Sequence, residues 1–270
     1  MKNKNKESRF EFGKNWHSYL KTLNNFKIQE AENSLKNIFE IESFKGKKFL
    51  DIGCGSGLFS LAARNLGAEV FSFDYDNESV KATKLLKKNF FSNCQKWKIE
   101  QGSVLDKKYM KNFNNYDFIY SWGVLHHTGN MYLAMENVSL LANKNSSICI
   151  AIYNKQQFFS KIWLIVKKIY NNSHWFFQKA MTFIFCIYFF LGLLVADLIR
   201  FKNPFERHTG ANRRGMSFIN DVIDWIGGYP FEVATPEEIF NFFRKKGFVL
   251  KKLKTCGGKM GCNEFIFSKR

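Results

Sequence analysis

The sequence predicts an α/β fold built on a doubly wound, mostly parallel seven-stranded sheet. Five short apolar segments alternate with helical patterns between residues 48 and 153, which is typical of a parallel sheet covered by helices on both faces. A glycine-rich turn directly follows the first of these segments, and two more strands joined by a second glycine-rich turn end the chain. The sheet is therefore expected to finish in an antiparallel hairpin, after an inserted helical subdomain.

Length and composition limit the classes of protein to which the chain can belong. It has 270 residues, of which 46% are hydrophobic and 17% aromatic, and a formal net charge of +18. These values exclude a disordered chain and a small disulfide-stapled scaffold. The lysine-rich start lacks the apolar segment of a signal peptide, so we expect a cytoplasmic protein. The cysteines show no CxxC pair and no histidine at ligand spacing, so no metal site is expected.

Helices and strands are predicted from the periodicity of the apolar residues. Residues 1–44 are expected to form a helical extension, because apolar residues recur there at helical spacing. Strands of the parallel part are predicted at 48–52, 69–74, 97–101, 116–121 and 147–153. The helices that separate them are predicted at about 58–66, 77–89 and 130–142. Residues 45–154 and 216–270 are therefore expected to form one core domain, interrupted by an insertion at 155–215.

The chain is predicted to end with one helix and a hairpin. Thr235 is placed to cap this helix, Pro236 to occupy its first position and Glu238 to complete a capping box. Strands at 248–255 and 263–268 should then pair across the glycine-rich turn between them.

The insertion at 155–215 combines positive charge with apolar residues. It contains ten Lys and Arg but only two acidic residues, a net charge of +8, and residues 180–196 carry no charge. A helix over 158–170 would place four branched apolar residues on one face: Ile162, Ile165, Val166 and Ile169. One bilayer crossing would separate strands that belong to the same sheet. Residues 158–200 are therefore expected to lie on a membrane surface, at the inner face of the membrane, or to form a lid or a dimerisation surface, with a true crossing as the least favoured alternative.

A glycine-rich loop and three acidic residues mark the carboxyl ends of the first three strands. Asp51 lies two residues before Gly53 in a GxGxG run, where glycine lets the backbone approach a ligand closely. This spacing differs from the GxGxxG of dinucleotide-binding folds. Asp74 ends the second strand, where its carboxylate could accept both hydroxyls of a ribose. Asp106 follows the third strand, where it could accept a hydrogen bond from an adenine amino group.

The motif FLDIGCGSG and these acids resemble the class I S-adenosylmethionine-dependent methyltransferases, and the resemblance covers residues 45–153 and 235–268. It implies a Rossmann-like methyltransferase fold with S-adenosyl-L-methionine as the cofactor, bound at the strand ends. The resemblance assigns the cofactor site to Asp51, Gly53, Cys54, Gly55, Gly57, Asp74, Tyr75, Ser103, Val104, Asp106, Ser121 and Trp122.

The segment SWGVLHHTGNM, residues 121–131, resembles the small-molecule branch of this family, which includes quinone and other metabolite O-methyltransferases. Enzymes that methylate bases usually carry Asn/Asp-Pro-Pro-Tyr/Phe at this strand end, so a nucleic-acid partner is not expected despite the charge. The sulfonium leaving group is already activated, so a base is needed only for an acceptor proton of high pKa. His127 or His126 could be that base, and Tyr153 is a further candidate catalytic residue.

Candidate acceptor-binding residues lie near the end of the insertion. Arg213 and Arg214 could bind a carboxylate or a phosphate, or be exposed to solvent. Trp225 and Tyr229 belong to an aromatic and glycine-rich run that is expected to form a loop over a pocket or a rigid connector. The sequence thus predicts methyl transfer to a small-molecule or lipid-linked acceptor, with oxygen as the favoured atom. A thiol or amine metabolite is the alternative acceptor, and an RNA-modifying or RNA-binding protein is the alternative of another class.

Overall fold

Seven strands form one mixed sheet in the computed structural model, which describes residues 9–199, 201 and 218–269. In chain order the strands are β1 (Lys48–Ile52), β2 (Glu69–Asp74), β3 (Trp97–Gln101), β4 (Phe118–Trp122), β5 (Ser147–Tyr153), β6 (Phe248–Lys254) and β7 (Cys262–Lys269). Their order across the sheet is β3-β2-β1-β4-β5-β7-β6. β1 to β5 pair in parallel, and β7 runs antiparallel to both β5 and β6. The predicted doubly wound, mostly parallel sheet with a terminal antiparallel hairpin is therefore confirmed.

The strand order reverses between β1 and β4. From β1 the sheet continues to β2 and β3 on one side, and from β4 it continues to β5 on the other. At such a position the connections leave the sheet in opposite directions, so a crevice forms beside the carboxyl ends of the strands. The loops after β1, β2 and β4 surround this position.

Helices flank the sheet and form most of the insertion. Those of the described residues are α1 (Gly13–Leu20), α2 (Asn25–Phe39), α3 (Leu58–Asn65), α4 (Asn77–Phe91), α5 (Lys107–Met110), α6 (Met131–Leu140), α7 (Gln157–Asn172), α8 (Trp175–Ile199), α9 (Phe218–Gly227) and α10 (Pro236–Lys245). The predicted N-terminal extension contains two helices, α1 and α2. The second begins after Asn24, whose side chain accepts a hydrogen bond from Lys27 N at 3.0 Å and so caps α2. α10 begins with the predicted capping box of Thr235 and Glu238.

α9 lies where the sequence predicts a loop or a rigid connector. The aromatic and glycine-rich run from Trp225 begins inside this helix, so the prediction is wrong for Trp225 to Gly227. Gly227 is required by close packing: a Cβ atom added there would lie 2.3 Å from the Phe10 ring. A glycine that signals a turn in the sequence therefore accommodates an aromatic ring at the end of a helix.

The chain divides into two compact units. The first comprises residues 11–160 and 230–270 and contains the sheet, and the second comprises residues 1–10 and 161–229. α9 belongs to the second unit, whereas the insertion is predicted to end at residue 215. In the first unit the residues of β1 alternate between two buried faces, with Leu50 and Ile52 on one and Phe49 on the other.

Candidate active site

The loop after β1 requires glycine for both conformation and space. Gly53, Gly55 and Gly57 have φ angles of +76°, +54° and +81°, in the left-handed region that favours glycine. A Cβ atom added at Gly53 would lie 2.4 Å from the Val124 side chain, and one added at Gly57 would lie 2.7 Å from that of Thr83. The loop is thus packed tightly between the turn after β4 and helix α4.

Asp51 and Cys54 of this segment have buried side chains. The Asp51 carboxylate accepts a hydrogen bond from the Ser60 hydroxyl of α3. The hydroxyl oxygens of Ser60 and Ser72 are 2.6 Å apart, and Trp97 Nε1 donates to the Ser72 hydroxyl at 2.9 Å. Burial raises the pKa of Asp51 to about 7, and the hydrogen bond from Ser60 opposes this shift. Cys54 Sγ lies 3.4 Å from a threonine hydroxyl of α4. Both side chains therefore hold the loop to its neighbours.

Asp74 connects the ends of β1 and β2. Its Oδ2 accepts a hydrogen bond from Gly55 N at 2.9 Å, and its Oδ1 accepts one from Asp76 N at 2.9 Å. Burial raises the pKa of Asp74 to about 6, whereas these N–H groups favour the charged form and lower the pKa. A carboxylate oxygen can accept more than one hydrogen bond. Both oxygens of Asp74 therefore keep the capacity to accept the two hydroxyls of a ribose.

Four other residues of the predicted cofactor site follow β2 and β3. The exposed ring of Tyr75 comes directly after β2, and Val104 is buried after β3. Ser103 Oγ accepts a hydrogen bond from a backbone N–H two residues further on, at 3.2 Å. Asp106 caps α5, because its Oδ1 accepts hydrogen bonds from two backbone N–H groups of that helix, at 2.9 and 3.0 Å. Contact of Asp106 with an adenine amino group stays a prediction.

The end of β4 completes the surroundings of the loop. Ser121 is buried, and its hydroxyl donates to the Ile52 carbonyl at 3.1 Å, which ties β4 to β1. Trp122 is half-buried, and Gly123 follows with φ +76°. A Cβ atom added at Gly123 would meet no atom of the described residues within 4 Å, in contrast to the crowded glycines after β1. The backbone at Gly123, the glycine loop and the acceptor oxygens of Asp74 together fit a nucleoside cofactor such as S-adenosylmethionine.

His126 and His127 follow β4 in a 3₁₀ turn, and their Nδ1 atoms have opposite hydrogen-bonding roles, as acceptor in His126 and as donor in His127. Tyr153 N donates to His126 Nδ1 at 3.3 Å, so the neutral ring of His126 carries its proton on Nε2. His127 Nδ1 donates to the Pro230 carbonyl at 2.7 Å, so the neutral ring of His127 has its lone pair on Nε2. His126 is fully buried, whereas His127 is half-buried. Of the two predicted bases, His127 has the geometry that suits a base.

Glu232 and Tyr153 hold the histidine turn in place. Glu232 N donates to the His126 carbonyl at 2.9 Å, and the Glu232 carboxylate accepts hydrogen bonds from the first backbone N–H of α6 at 2.9 and 3.0 Å. The ring centre of Tyr153 lies 4.0 Å from that of His126 and 5.4 Å from that of His127. The third predicted catalytic residue therefore packs against both imidazoles.

Aromatic residues of the N-terminal segment also contact this site. The ring centre of Phe12 lies 5.0 Å from that of His127, and a Cβ atom added at Gly55 would lie 3.0 Å from the Trp16 indole. Between them, Gly13 N donates at 2.7 Å to the aspartate that caps α4. Phe12 and Trp16 are four residues apart, about 6 Å along a helix axis. One turn of α1 therefore contacts the segments that follow β1, β2 and β4.

The sequence does not indicate that these N-terminal residues lie at the site. Phe12 and Trp16 are ordinary aromatic residues in a segment interpreted only as a helical extension, and their partners lie about 40 and 115 positions further along the chain. Their spacing of four residues shows that they share one side of a helix. Nothing in the local pattern indicates which surface that side contacts.

Replacing Trp16 with alanine is expected to weaken binding of S-adenosylhomocysteine about tenfold, because the indole packs on the glycine loop that is predicted to bind the cofactor. Isothermal titration calorimetry measures this affinity. Phe26→Ala removes an exposed aromatic ring from α2 and should leave the affinity unchanged. Equal affinities of the two variants would show that α1 does not contribute to cofactor binding.

The structure describes two of the four predicted acceptor-binding residues. Arg213 and Arg214 lie outside the described residues. Trp225 belongs to α9 of the second unit, where its ring centre lies 5.4 Å from that of Trp163. The Tyr229 carbonyl accepts a hydrogen bond from a backbone N–H of the same unit at 3.0 Å. Their contact with an acceptor stays a prediction.

Comparison with known proteins identifies the family. The family described as a methyltransferase domain matches residues 43–185, just over half of the chain. The chain therefore belongs to the class I S-adenosylmethionine-dependent methyltransferases, and S-adenosylmethionine is its cofactor.

Individual relatives match shorter regions or the fold alone. A ubiquinone biosynthesis O-methyltransferase of Pelagibacter ubique (strain HTCC1062) is 30% identical over 133 residues, which cover 49% of this chain and 49% of that protein. The match thus spans about half the length of this relative. A ribosomal protein L11 methyltransferase of Prochlorococcus marinus (strain MIT 9301) is 39% identical over 77 residues, 28% of this chain and 25% of that one. The crystal structure of magnesium protoporphyrin IX methyltransferase from Synechocystis PCC 6803 superposes with a TM-score of 0.53 at 12% sequence identity. The superposition covers 93% of this chain and 86% of that protein's chain, so the two share the fold.

Proposed function

We propose that this protein transfers the methyl group of S-adenosylmethionine to an oxygen atom of a small or lipid-linked acceptor. The observation that carries the proposal is the orientation of His127, whose Nδ1–H donates to the Pro230 carbonyl at 2.7 Å. This bond directs the lone pair of the neutral ring to Nε2, where it can accept a proton. The name of the O-methyltransferase relative supports oxygen as the methylated atom.

The proposed chemistry needs alignment and one proton transfer. When bound, the cofactor supplies a methyl group on a sulfonium, which is already activated as a leaving group. His127 Nε2 would accept the proton of the acceptor hydroxyl as its oxygen takes up the methyl group, and the departing sulfur would keep the electron pair of the bond that breaks. The Pro230 carbonyl continues to accept from Nδ1–H and so stabilises the imidazolium, which then releases its proton to solvent.

Other residues of the site support these steps by holding the reactants. The oxygens of Asp74 are proposed to accept hydrogen bonds from the ribose hydroxyls. The backbone of the glycine loop is proposed to contact the cofactor directly. Tyr153, which packs against both imidazoles, is proposed to keep His127 in its orientation. Helix α1 would exclude water from the reacting atoms through Phe12 and Trp16.

The insertion supports a location at a membrane. α8 is the helix of the described residues that is long and apolar enough to cross a bilayer. We propose that the protein is cytoplasmic and peripheral, at the inner face of the membrane, through residues 158–200. This location would give the enzyme access to acceptors that carry a lipid chain as well as to soluble ones.

A labelling experiment tests the proposed function. The full chain is incubated with methyl-labelled S-adenosylmethionine and fractionated cell extract, with and without detergent, after binding of S-adenosylhomocysteine has been measured on the same preparation. Label is expected in the small-molecule or lipid fraction, in a product that survives mild alkali as an ether does. Label in RNA or protein, or none in a preparation that binds the cofactor product, would contradict the proposal.

A further inference from the structure

α7 turns a lysine inward and isoleucines outward. Lys167 is fully buried, and its Nζ donates a hydrogen bond to the Trp225 carbonyl and lies 4.8 Å from the centre of the Trp225 ring. Burial lowers the pKa of Lys167 to about 7. On the other side of the helix Ile162, Ile165 and Ile169 are exposed, Ile165 by 57%. A helix that faces water shows the reverse distribution, with its charged residues outward.

α8 repeats this inverted pattern over 25 residues. Its most apolar 18-residue window is only 6% buried, whereas the side chain of Asp197 is buried. Large apolar side chains are exposed along its whole length: Phe176, Phe177, Phe183, Ile184, Ile187, Phe190, Leu191, Val195, Leu198 and Ile199. Together with the three isoleucines of α7 they form what we call the outward apolar surface. Single exposed apolar residues are ordinary, but this many large apolar residues exposed on two neighbouring helices mark a binding site for another body.

The second unit has a core of its own, so the outward apolar surface is additional to it. Trp163 of α7 is buried, and its ring stacks on Phe189 of α8 at a centroid distance of 6.0 Å. The same ring lies 5.7 Å from Phe185 and 5.4 Å from Trp225 of α9. The three helices are thus already joined by inward-facing aromatic residues.

Positive charges border the outward apolar surface. Lys161 and Lys168 are exposed and seven residues apart on α7, which places both on one edge of the isoleucine face. At the start of α8, Lys179 Nζ lies 4.9 Å from the ring centre of the exposed Trp175. An apolar face edged by lysines and a tryptophan matches the boundary between acyl chains and anionic headgroups, where lysine and tryptophan side chains place an apolar part inward and a polar end outward.

The same charges disfavour a second copy of this chain as the occupant. In a symmetric dimer the same surface of both copies is in contact, so the lysine edges of the two copies would approach each other. Residues 155–215 carry a net charge of +8 in each copy. Like charges at an interface oppose association, whereas an anionic bilayer complements them.

The topology favours helices that lie on the bilayer. The chain leaves the sheet after β5 and returns to it at β6 and then β7, and β7 pairs directly with β5. A single crossing by α8 would require a second crossing by α7 to return, and α7 has 16 residues. Its length of about 24 Å is less than the hydrocarbon thickness of about 30 Å.

We infer that the outward apolar surface of α7 and α8 binds the surface of an anionic lipid bilayer, with both helices in the plane of the interface. Insertion of the exposed phenylalanines and isoleucines removes their apolar area from water, and Lys161, Lys168 and Lys179 contact the anionic headgroups. Resting on the proposed function, the acceptor supplied at this surface is lipid-linked.

Vesicle flotation tests the inference on the full chain. With vesicles of phosphatidylethanolamine and phosphatidylglycerol we expect the protein to float, and with phosphatidylcholine vesicles the floating fraction should fall several-fold. Replacing three exposed residues of α8 together, Phe183→Ser, Ile184→Ser and Ile187→Ser, should lower binding at least about tenfold, because it removes apolar area from the interface. The matched control replaces three exposed apolar residues of α2 and α4, Phe26→Ser, Leu85→Ser and Phe90→Ser, and should float like the original protein.

The outcomes separate this inference from its rivals. Failure of the original protein to float with anionic vesicles, or equal flotation of the α8 variant, would overturn it. A dimer in solution that the α8 variant converts to a monomer, without vesicle binding, would assign the surface to a second copy. If the α8 variant does not fold, quenching of tryptophan fluorescence by brominated acyl chains decides on the original protein, since Trp175 is exposed beside this surface.

The flotation result and the methylation result can be told apart, because each tests a different proposal. A protein that floats and binds S-adenosylhomocysteine but methylates neither soluble nor lipid-linked acceptors contradicts the proposed function and leaves the bilayer surface intact. A protein that methylates a soluble acceptor but does not float contradicts the bilayer surface and the peripheral location, and leaves the proposed methyl transfer intact.

Discussion

Replacing Asp74 with alanine is expected to weaken binding of S-adenosylhomocysteine at least about 100-fold and to leave a folded protein. The two carboxylate oxygens already organise the ends of β1 and β2 through Gly55 N and Asp76 N, and in the complex they are proposed to accept hydrogen bonds from the ribose hydroxyls. Hydrogen bonds to a charged group contribute about 1.5–3 kcal/mol each, so loss of two accounts for a factor of about 100 or more. Isothermal titration calorimetry gives the affinity, and circular dichroism checks the fold.

Asp117→Ala is the matched control for this variant. Asp117 also accepts a hydrogen bond from a backbone N–H, that of Lys48 at 2.9 Å, but it precedes β4 and so lies at the amino ends of the strands. Its removal should leave cofactor affinity unchanged. Retained affinity in Asp74→Ala, or an equal loss in both variants, would contradict the assignment of Asp74 to the ribose.

The pH dependence of cofactor binding follows from the same carboxylate. Burial raises the pKa of Asp74 to about 6 from its ordinary value of 3.8. In the protein without cofactor this group therefore stabilises the fold below pH 3.8, and that contribution is lost as the pH rises through about 6. The ribose hydroxyls favour the ionised form, so affinity should instead increase with pH over this range, by up to about tenfold per unit below pH 6. Asp74→Asn should remove this part of the slope, and an unchanged slope would assign the titration to another group.

The sequence predicts those parts of the site that depend on local pattern. The short apolar strands, the glycine run between β1 and α3 and the acid that ends β2 each have a signature within a few residues, because backbone conformation and strand ends are local properties. The acid predicted beside the adenine, Asp106, also follows its strand as expected. Its function as the cap of α5 could not be seen, because a four-residue helix has no periodicity.

What the sequence does not predict depends on distant partners. The two histidines are adjacent and chemically identical, and they differ because His127 faces the Pro230 carbonyl whereas His126 faces the backbone of Tyr153. Those partners lie 103 and 27 positions away. Lys167 lies outside the apolar face predicted for the helix over 158–170, yet it is buried at the end of α9. A pattern of apolar positions identifies the two faces of a helix but not what each face contacts.

Replacing His127 with alanine is expected to lower kcat about 100-fold to 10,000-fold for an acceptor whose hydroxyl must lose a proton, with unchanged affinity for S-adenosylhomocysteine. General base catalysis contributes a factor of this size. The effect should be confined to the chemical step, because the contacts of Asp74 and of the glycine loop do not involve His127. Single-turnover rates with labelled cofactor measure it, and added imidazole should restore part of the rate by supplying the missing base.

The pH profile separates a base from a residue that only packs. In the original protein the rate should increase with pH as the His127 imidazole loses its proton, since only the neutral ring has a lone pair at Nε2. His127→Ala should lose this increase, whereas a packing defect would lower the rate equally at every pH and would not respond to imidazole. His174→Ala makes the same change at an exposed position and should leave both the rate and its profile unaltered. If His127→Ala keeps the original profile, proton acceptance belongs to another group and oxygen loses its support as the methylated atom.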